Sequence, residues 1–131
     1  MIALDTNVLV RFLVEDDVAQ TKRARALITR AIEEEGGCFV PDVVICEVVR
    51  VLTSAYRVPK SEIVRHLGSL LRARHFAYRS ADRLARALDA FSDGRGDFAD
   101  YVIREDSMAA GCDAVATFDK DLYGERGFQT A

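Results

Sequence analysis

The sequence has few of the residues that form zinc sites, disulfides or thiol active sites. It contains three cysteines and two histidines in 131 residues. No two cysteines form a C-x-x-C pair, and neither histidine has metal-ligand spacing with a cysteine. Cys46 lies in an apolar run, where we expect it to act as a small hydrophobic side chain. These absences argue against a zinc site and against a cysteine nucleophile, since no neighbouring group is an obvious activator of a thiol.

Long apolar runs and linkers are also absent. No apolar segment approaches the roughly 20 residues that span a bilayer, and no basic stretch precedes a signal-length apolar run. A chain of this length buries about two-thirds of its unfolded surface, and it contains no Ser-, Gly- or Pro-rich linker. We therefore expect a single domain over residues 1–131, a cytoplasmic location and no membrane partner.

The charge balance shows no excess of basic residues. Lys and Arg number 18 against 21 Asp and Glu, which gives a net charge of −3. Nucleic-acid-binding proteins usually show a basic excess, so the total alone does not indicate such a partner. A group of acids neutralised by a bound metal would also lower the total. The distribution of the acids is therefore more informative than their sum.

Short apolar segments alternate with amphipathic ones along the chain. The apolar segments predict strands at 2–4, 38–40, 76–78 and 114–117. The amphipathic or densely apolar segments predict helices at 8–14, 16–35, 42–56, 59–73, 81–91 and 97–110, with a turn or helical stub at 119–123. This alternation is typical of the α/β class, and it predicts a three-layer α/β/α sandwich around a central parallel sheet.

Acidic residues follow the predicted strands. Asp5 follows the first strand, Asp119 follows the last, and Asp97 and Asp100 begin the helix before it, while Glu47 interrupts the apolar face of helix 42–56. Parallel sheets place their ligand sites at the carboxyl ends of the strands, and Mg²⁺ and Mn²⁺ prefer oxygen ligands. The sequence therefore predicts a divalent-cation site at this edge.

Each acid also has a structural alternative that the sequence leaves open. A carboxylate can cap a helix, pair with a basic residue one turn along, or form an Asx turn. The alternatives are Asp5 or Asp97 as helix cap, Glu47 paired with Arg50, Asp100 paired with Arg104, and Asp119 in an Asx turn.

Four segments resemble the motifs of PIN-domain ribonucleases, and they are most similar to those of the VapC-type toxins of bacterial toxin–antitoxin pairs. They are residues 2–11 (IALDTNVLVR), residues 43–52 around Glu47, residues 97–100 (DFAD) and residues 116–121 (ATFDKD). They occur in the family's order and cover essentially the whole chain. One departure is Tyr101, which stands after the third acid where the family usually has a small residue.

The resemblance implies an endoribonuclease that uses Mg²⁺ or Mn²⁺ to activate a water molecule and leaves 5′-phosphate and 3′-hydroxyl ends. Its catalytic acids would be Asp5, Glu47, Asp100 and Asp119. Asp5 and Asp100 would be the main metal ligands, with Glu47 and Asp119 as possible further ones. It also implies a small antitoxin and a homodimer as partners. Supporting polar residues would be Thr6, Asn7, Thr117 and Asp97, and candidate RNA contacts at the rim are Arg11, Arg95 and Arg104.

Three other functions remain open from the sequence. A response-regulator receiver also binds Mg²⁺, but it would have paired acids after the first strand, where this chain has Thr6 and Asn7 beside Asp5. A haloacid-dehalogenase-like phosphatase would need a second acid at Asn7. The third alternative is a PIN fold retained only for binding RNA or protein. Labelling by acetyl phosphate would be expected only for the receiver or the phosphatase.

Overall fold

The computed structural model describes all 131 residues, which divide into two compact units, residues 1–81 and residues 82–131. Every strand pair in both units is parallel. The predicted α/β class is therefore confirmed. The strands pair in two separate sheets, one of three strands and one of two. No helix combines the length and the apolar character that crossing a membrane requires.

The first unit contains a three-stranded sheet and four helices. The strand order is β1-β2-β3, with Ile2 beside Cys38 and Cys38 beside Phe76. In chain order the elements are β1 (Ile2–Ala3), α1 (Thr6–Leu13), α2 (Val18–Glu35), β2 (Cys38–Phe39), α3 (Asp42–Ser54), α4 (Lys60–Arg72) and β3 (Phe76–Ala77). Every one of these boundaries lies within two residues of the predicted one.

Side-chain and glycine caps set the ends of the helices in this unit. Asp17 caps α2 by accepting a hydrogen bond from the backbone N–H of Gln20 at 3.0 Å. Gly36 ends the same helix in the left-handed conformation, with φ of 82°. Asp5 caps α1, so the residue predicted as a metal ligand also starts a helix.

Glu47 lies on α3 at the margin of its buried apolar stripe. Ile45, Val48 and Leu52 on this helix are buried, and α3 packs against α1. Cys46 and Glu47 lie beside this stripe and are only half-buried. Cys46, predicted to act as a small hydrophobic side chain, therefore lies at the margin of the core.

The second unit contains two helices, a 3₁₀ helix and a two-stranded sheet. Its elements are α5 (Ala81–Asp93), α6 (Phe98–Ala109), β4 (Val115–Thr117), the 3₁₀ helix Lys120–Leu122 and β5 (Phe128–Thr130). Val115 pairs with Phe128. The rings of Phe91 and Phe98 meet edge-to-face, with centroids 6.0 Å apart. The strand β5 was not predicted, because its three residues include two exposed polar ones and show no apolar run.

Candidate metal and catalytic site

Asp5 lies two residues beyond the carboxyl end of β1 and is exposed. Its Oδ1 accepts a hydrogen bond from the backbone N–H of Thr6 at 2.7 Å. No protein group donates a hydrogen bond to its Oδ2. The structural alternative for Asp5, a helix cap, is thus present, and it occupies only one of the two oxygens that a cation would use.

Thr6 connects the start of α1 to Glu47 on α3. Its Oγ1 donates a hydrogen bond to Glu47 Oε2 at 2.6 Å, and the Thr6 side chain is buried. No ion pair joins Glu47 to Arg50, so this structural alternative is not found. The predicted supporting role of Thr6 has a concrete form here, because its hydroxyl fixes one oxygen of the Glu47 carboxylate. Asn7, also predicted as supporting, is exposed on the first turn of α1.

Helix α6 begins at Phe98 with Asp97 as its N-cap, as the sequence predicts. Asp100, at the third helical position, accepts a hydrogen bond at its Oδ2 from the backbone N–H of Asp97 at 2.8 Å, as in a capping box. No ion pair joins Asp100 to Arg104. The carboxylate of Asp100 is therefore held by the helix start, and only its Oδ1 is left without a protein donor.

The pKa of the Asp100 carboxyl is raised by burial and by the other acids near it in the second unit. Burial is the largest cause, and the negative charges of Asp97, Asp119 and Glu125 add to it, while the hydrogen bond from the Asp97 backbone opposes it. Like charges that cannot separate disfavour ionisation. A bound cation would relieve this repulsion, so the electrostatics of the second unit are compatible with a divalent metal.

Asp119 lies two residues beyond β4. It forms an Asx turn, which is the structural alternative that the sequence left open for this residue. Its Oδ1 accepts a hydrogen bond from the backbone N–H of Asp121 at 2.9 Å and starts the 3₁₀ helix. The hydroxyl oxygen of Thr117 accepts a hydrogen bond from the Asp119 backbone N–H at 3.0 Å. Thr117 therefore fixes the turn that carries Asp119, and the Asp119 side chain is exposed.

The donor chemistry of the candidate acids fits Mg²⁺ or Mn²⁺, because every candidate ligand is a carboxylate oxygen. Asp5 and Glu47 belong to the first unit, and Asp100 and Asp119 belong to the second. No group of three or more histidine, cysteine, aspartate or glutamate side chains lies close enough together to hold a metal ion. That the four acids form one quartet therefore stays a prediction.

Two of the arginines predicted to contact RNA are partly occupied by hydrogen bonds within the protein. The Arg11 guanidinium donates to Asp16 at 2.9 Å and to the Tyr56 hydroxyl at 2.6 Å. The Arg95 side chain donates to the backbone carbonyls of Asp121 and Tyr123, at 3.0 and 2.8 Å. Arg95 is exposed, so it could still present a positive charge to an RNA backbone.

Arg104 does not have the position expected of a rim residue. The residue is 8% exposed, and its guanidinium stacks over the rings of Tyr101 and Phe128 at 5.2 and 5.9 Å from their centroids. It also donates to the Arg126 carbonyl at 3.0 Å and pairs with Glu105. The predicted RNA contact of Arg104 is therefore replaced by a packing role, because its donors and its flat face are already used inside the second unit.

Tyr101 and Glu125 form a contact that sequence reasoning missed. The Tyr101 hydroxyl donates to both carboxylate oxygens of Glu125, at 2.7 and 2.9 Å, and accepts from the buried backbone N–H of Gly96 at 3.0 Å. The Arg95 backbone N–H also donates to Glu125. These bonds fix the loop before Asp97, and so the start of α6. The only signal in the sequence was the presence of Tyr101 in place of a small residue.

The parallel strands of both units define an α/β protein. Comparison with known protein families identifies its family. The profile of the PIN domain matches residues 2–124, and the chain therefore belongs to the PIN domain family. PIN domains are generally nucleases and typically bind divalent metals. No curated protein matches the chain. Membership of this family decides against the receiver and the phosphatase.

Proposed function

We propose that the protein is an endoribonuclease that depends on Mg²⁺ or Mn²⁺. Its membership of a family that generally cleaves nucleic acids carries the proposal. The positions of Asp5 and Asp119 just beyond β1 and β4 support it, since α/β proteins bind ligands at the carboxyl ends of parallel strands. The proposed catalytic acids are Asp5, Glu47, Asp100 and Asp119, with Asp5 and Asp100 as the main metal ligands.

A divalent cation held by carboxylates supplies charge stabilisation for a phosphoryl transition state and a water nucleophile of lowered pKa. Two hydrogen bonds within the protein hold the carboxylates of Glu47 and Asp100 in place. Thr6 holds one oxygen of Glu47, and the backbone of Asp97 holds one oxygen of Asp100. Each bond restricts the rotation of a carboxylate and leaves its second oxygen without a protein donor.

Neither histidine of the chain lies at the carboxyl end of a strand, and this decides which nucleophile we expect to attack the RNA. Ribonucleases without a metal commonly activate the RNA 2′-hydroxyl with a general base, most often histidine. Here His66 lies on α4 and His75 precedes β3, so neither follows the carboxyl end of a strand. An RNA with a single 2′-deoxy nucleotide at the cleaved position should therefore still be cut. Protection of that RNA with normal binding, or a cyclic-phosphate product, would contradict attack by water.

The direct test measures cleavage of end-labelled RNA with Mg²⁺, with Mn²⁺ and with EDTA. Wild type should cleave only with metal, and Asp5→Asn, Glu47→Gln and Asp119→Asn should reduce cleavage to background. Asp89→Asn is the matched control, because Asp89 is an exposed acid on α5 outside the proposed set. Cleavage that survives EDTA, or an Asp5→Asn protein as active as wild type, would contradict the proposal. RNA binding without cleavage would favour the PIN fold retained for binding.

We further propose that the protein is the toxin of a toxin–antitoxin pair and forms a homodimer. A cleft of about 480 Å³ between α1 and α2 supports a protein partner. Val8 and Leu27 give it apolar lining, and Arg23 and Arg30 line it without an ion-pair partner. An acidic, amphipathic segment of a small antitoxin would match both features. Part of the same surface, with the apolar positions of α4, is the proposed dimer contact.

Co-expression tests the toxin assignment separately from the nuclease assignment. Expression of the protein alone should arrest growth, and co-expression of the product of an adjacent small gene should restore it. Sequencing the cut ends of cellular RNA after brief induction would identify the substrate. Harmless expression of a protein that cleaves RNA in vitro would contradict the toxin role and leave the nuclease role intact.

A further inference from the structure

Phe118 is the only aromatic side chain that the fold leaves exposed. Its side chain is 81% exposed, whereas every other Phe and Tyr is buried or half-buried. Burial of a Phe side chain stabilises a protein, but a residue that is 81% exposed gains little of this stabilisation. Burial in the fold therefore does not explain an aromatic residue at this position.

The backbone that carries this ring is nonetheless fixed on both sides. The Thr117 carbonyl accepts a hydrogen bond from the Ala131 backbone N–H at 2.9 Å. The Phe118 carbonyl accepts one from the Tyr123 hydroxyl at 3.4 Å, and the Asp119 N–H donates to Thr117 Oγ1 at 3.0 Å. An exposed ring on a fixed backbone loses little conformational entropy when a partner binds.

The neighbours of Phe118 indicate what kind of partner fits. Asp119 follows it and is one of the proposed catalytic acids. Lys120 comes next, is exposed and takes part in no ion pair. A flat apolar ring followed two residues later by a lysine that takes part in no ion pair matches an unpaired base and its phosphate, which is how single-stranded RNA is commonly bound.

A protein partner fits these neighbours less well. The core of a protein interface is depleted in charged residues and is formed by several adjoining apolar side chains. Phe118 instead stands between Thr117 on one side and Asp119, Lys120 and Asp121 on the other.

We propose that Phe118 is the platform on which an unpaired base of the RNA substrate stacks. The inference rests on the proposed nuclease function, since it places this base next to Asp119, one of the proposed catalytic acids. Phe118 is a substrate-positioning residue, and it contributes no group to the chemistry.

The absence of tryptophan makes this proposal directly testable, because Phe118→Trp introduces the only tryptophan in the chain. We would measure binding of a short single-stranded RNA in EDTA, where the proposed cleavage is silent. Phe118→Trp should bind like wild type, and its fluorescence should be quenched by the RNA. Phe118→Ala should bind about 5- to 150-fold more weakly, since stacking on an aromatic contributes roughly 1–3 kcal/mol per base, and its melting temperature should not change.

Two controls make the test specific to stacking. Val18→Ala removes a side chain of similar exposure, 83%, at the start of α2, and should bind RNA like wild type. An RNA with one abasic ribose, moved along the strand, should weaken wild-type binding at one position and leave Phe118→Ala binding unaffected.

The stacking proposal would be overturned if Phe118→Ala bound RNA as tightly as wild type, if Phe118→Trp bound RNA without quenching, or if wild type bound no RNA. A tryptophan emission that depends on protein concentration and not on RNA would also overturn it, in favour of an interface between copies of the chain. Because binding is measured without metal, a protein that stacks RNA but never cleaves it would contradict only the nuclease proposal.

Discussion

The bond from the Thr6 hydroxyl to the Glu47 carboxylate, at 2.6 Å, is the shortest hydrogen bond to any of the four candidate acids. Hydrogen bonds to charged groups contribute about 1.5–3 kcal/mol, and partial exposure of Glu47 weakens this one. We expect Thr6→Val to lower the free energy of unfolding by about 1–2 kcal/mol in urea titrations. The same substitution in a Glu47→Ala background should have a clearly smaller effect. Equal losses in both backgrounds would show that the bond does not stabilise the fold.

The contact between Tyr101 and Glu125 predicts a pH dependence of stability. Burial raises the pKa of Glu125, but the hydrogen bonds from the Tyr101 hydroxyl and the Arg95 backbone outweigh it, so the pKa is lowered. A carboxyl group with a lowered pKa in the folded state contributes stability above its unfolded pKa, and this stability is lost as the pH falls through the folded value. Tyr101→Phe should therefore lose stability at neutral pH, and the difference from wild type should shrink below the usual value of 4.5.

Tyr78→Phe is the control for this prediction. The Tyr78 hydroxyl donates to the Leu70 carbonyl at 3.0 Å, and a carbonyl does not titrate. Melting temperatures of both variants and wild type, measured from neutral to acidic pH, should show a constant loss for Tyr78→Phe and a shrinking loss for Tyr101→Phe. A constant loss for both would contradict the assigned role of Glu125.

At the residue scale, the sequence predicted local roles better than contacts between distant residues. The cap at Asp97 and the turn at Asp119 involve neighbours within three positions, so a single sequence can indicate them. Glu125 lies 24 residues from Tyr101, and no local pattern joins the two. Arg104 was wrongly placed at the rim because an arginine is buried only when tertiary partners satisfy it, and those partners are set by the fold.

At the scale of elements, the turn between α2 and β2 depends on two glycines with different constraints. Gly36 has φ of 82° and open space where a Cβ would lie. Gly36→Ala should therefore cost only the left-handed backbone strain, about 1–2 kcal/mol. Gly37 has φ of 143°, and a Cβ there would overlap the His75 carbonyl oxygen. That oxygen accepts the hydrogen bond from Cys38 at 2.9 Å.

Gly37→Ala should consequently destabilise the protein more than Gly36→Ala, since it displaces the backbone that pairs β2 with β3. Urea unfolding of both variants would measure the difference. Equal losses would show that the close approach of Gly37 to His75 does not constrain this turn.

The helices were predicted more completely than the strands, for a physical reason. A helix such as α3 repeats its apolar positions over 13 residues, which gives a long signal. The strands have two or three residues each, too few for alternation to show. The sequence did not predict β5 because this strand is so short. Nor do segments of two or three residues indicate that the strands pair in two separate sheets.

For the whole molecule, metal binding should appear as a gain in stability. Mg²⁺ at ten times its Kd should add roughly 1.4 kcal/mol by mass action. Asp5→Asn and Asp100→Asn should lose this gain in thermal melts, and EDTA should remove it from wild type. Without metal, Asp100→Asn should be no less stable than wild type, because it removes a carboxyl group that burial and neighbouring acids disfavour in its charged form. These two causes raise its pKa. An undiminished gain in Asp100→Asn would contradict its role as a ligand.

The α/β class and the family could be predicted from the sequence because both depend on the order of segments along the chain. The motifs around Asp5, Glu47, Asp100 and Asp119 lie in the order that the PIN family has, and the family match spans them all. The proposed stacking of a base on Phe118 could not be predicted from the sequence, because the exposure of this ring is a property of the fold.

The central claim is that Asp100, and not its neighbour Asp97, is a metal ligand for RNA cleavage. The most direct measurement is the Mg²⁺-dependent cleavage rate of Asp97→Asn and Asp100→Asn beside wild type. Asparagine caps helices about as well as aspartate, so Asp97→Asn should keep the fold and most of the cleavage. Asp100→Asn should keep the fold and reduce cleavage to background. An inactive Asp97→Asn beside an active Asp100→Asn would contradict the claim.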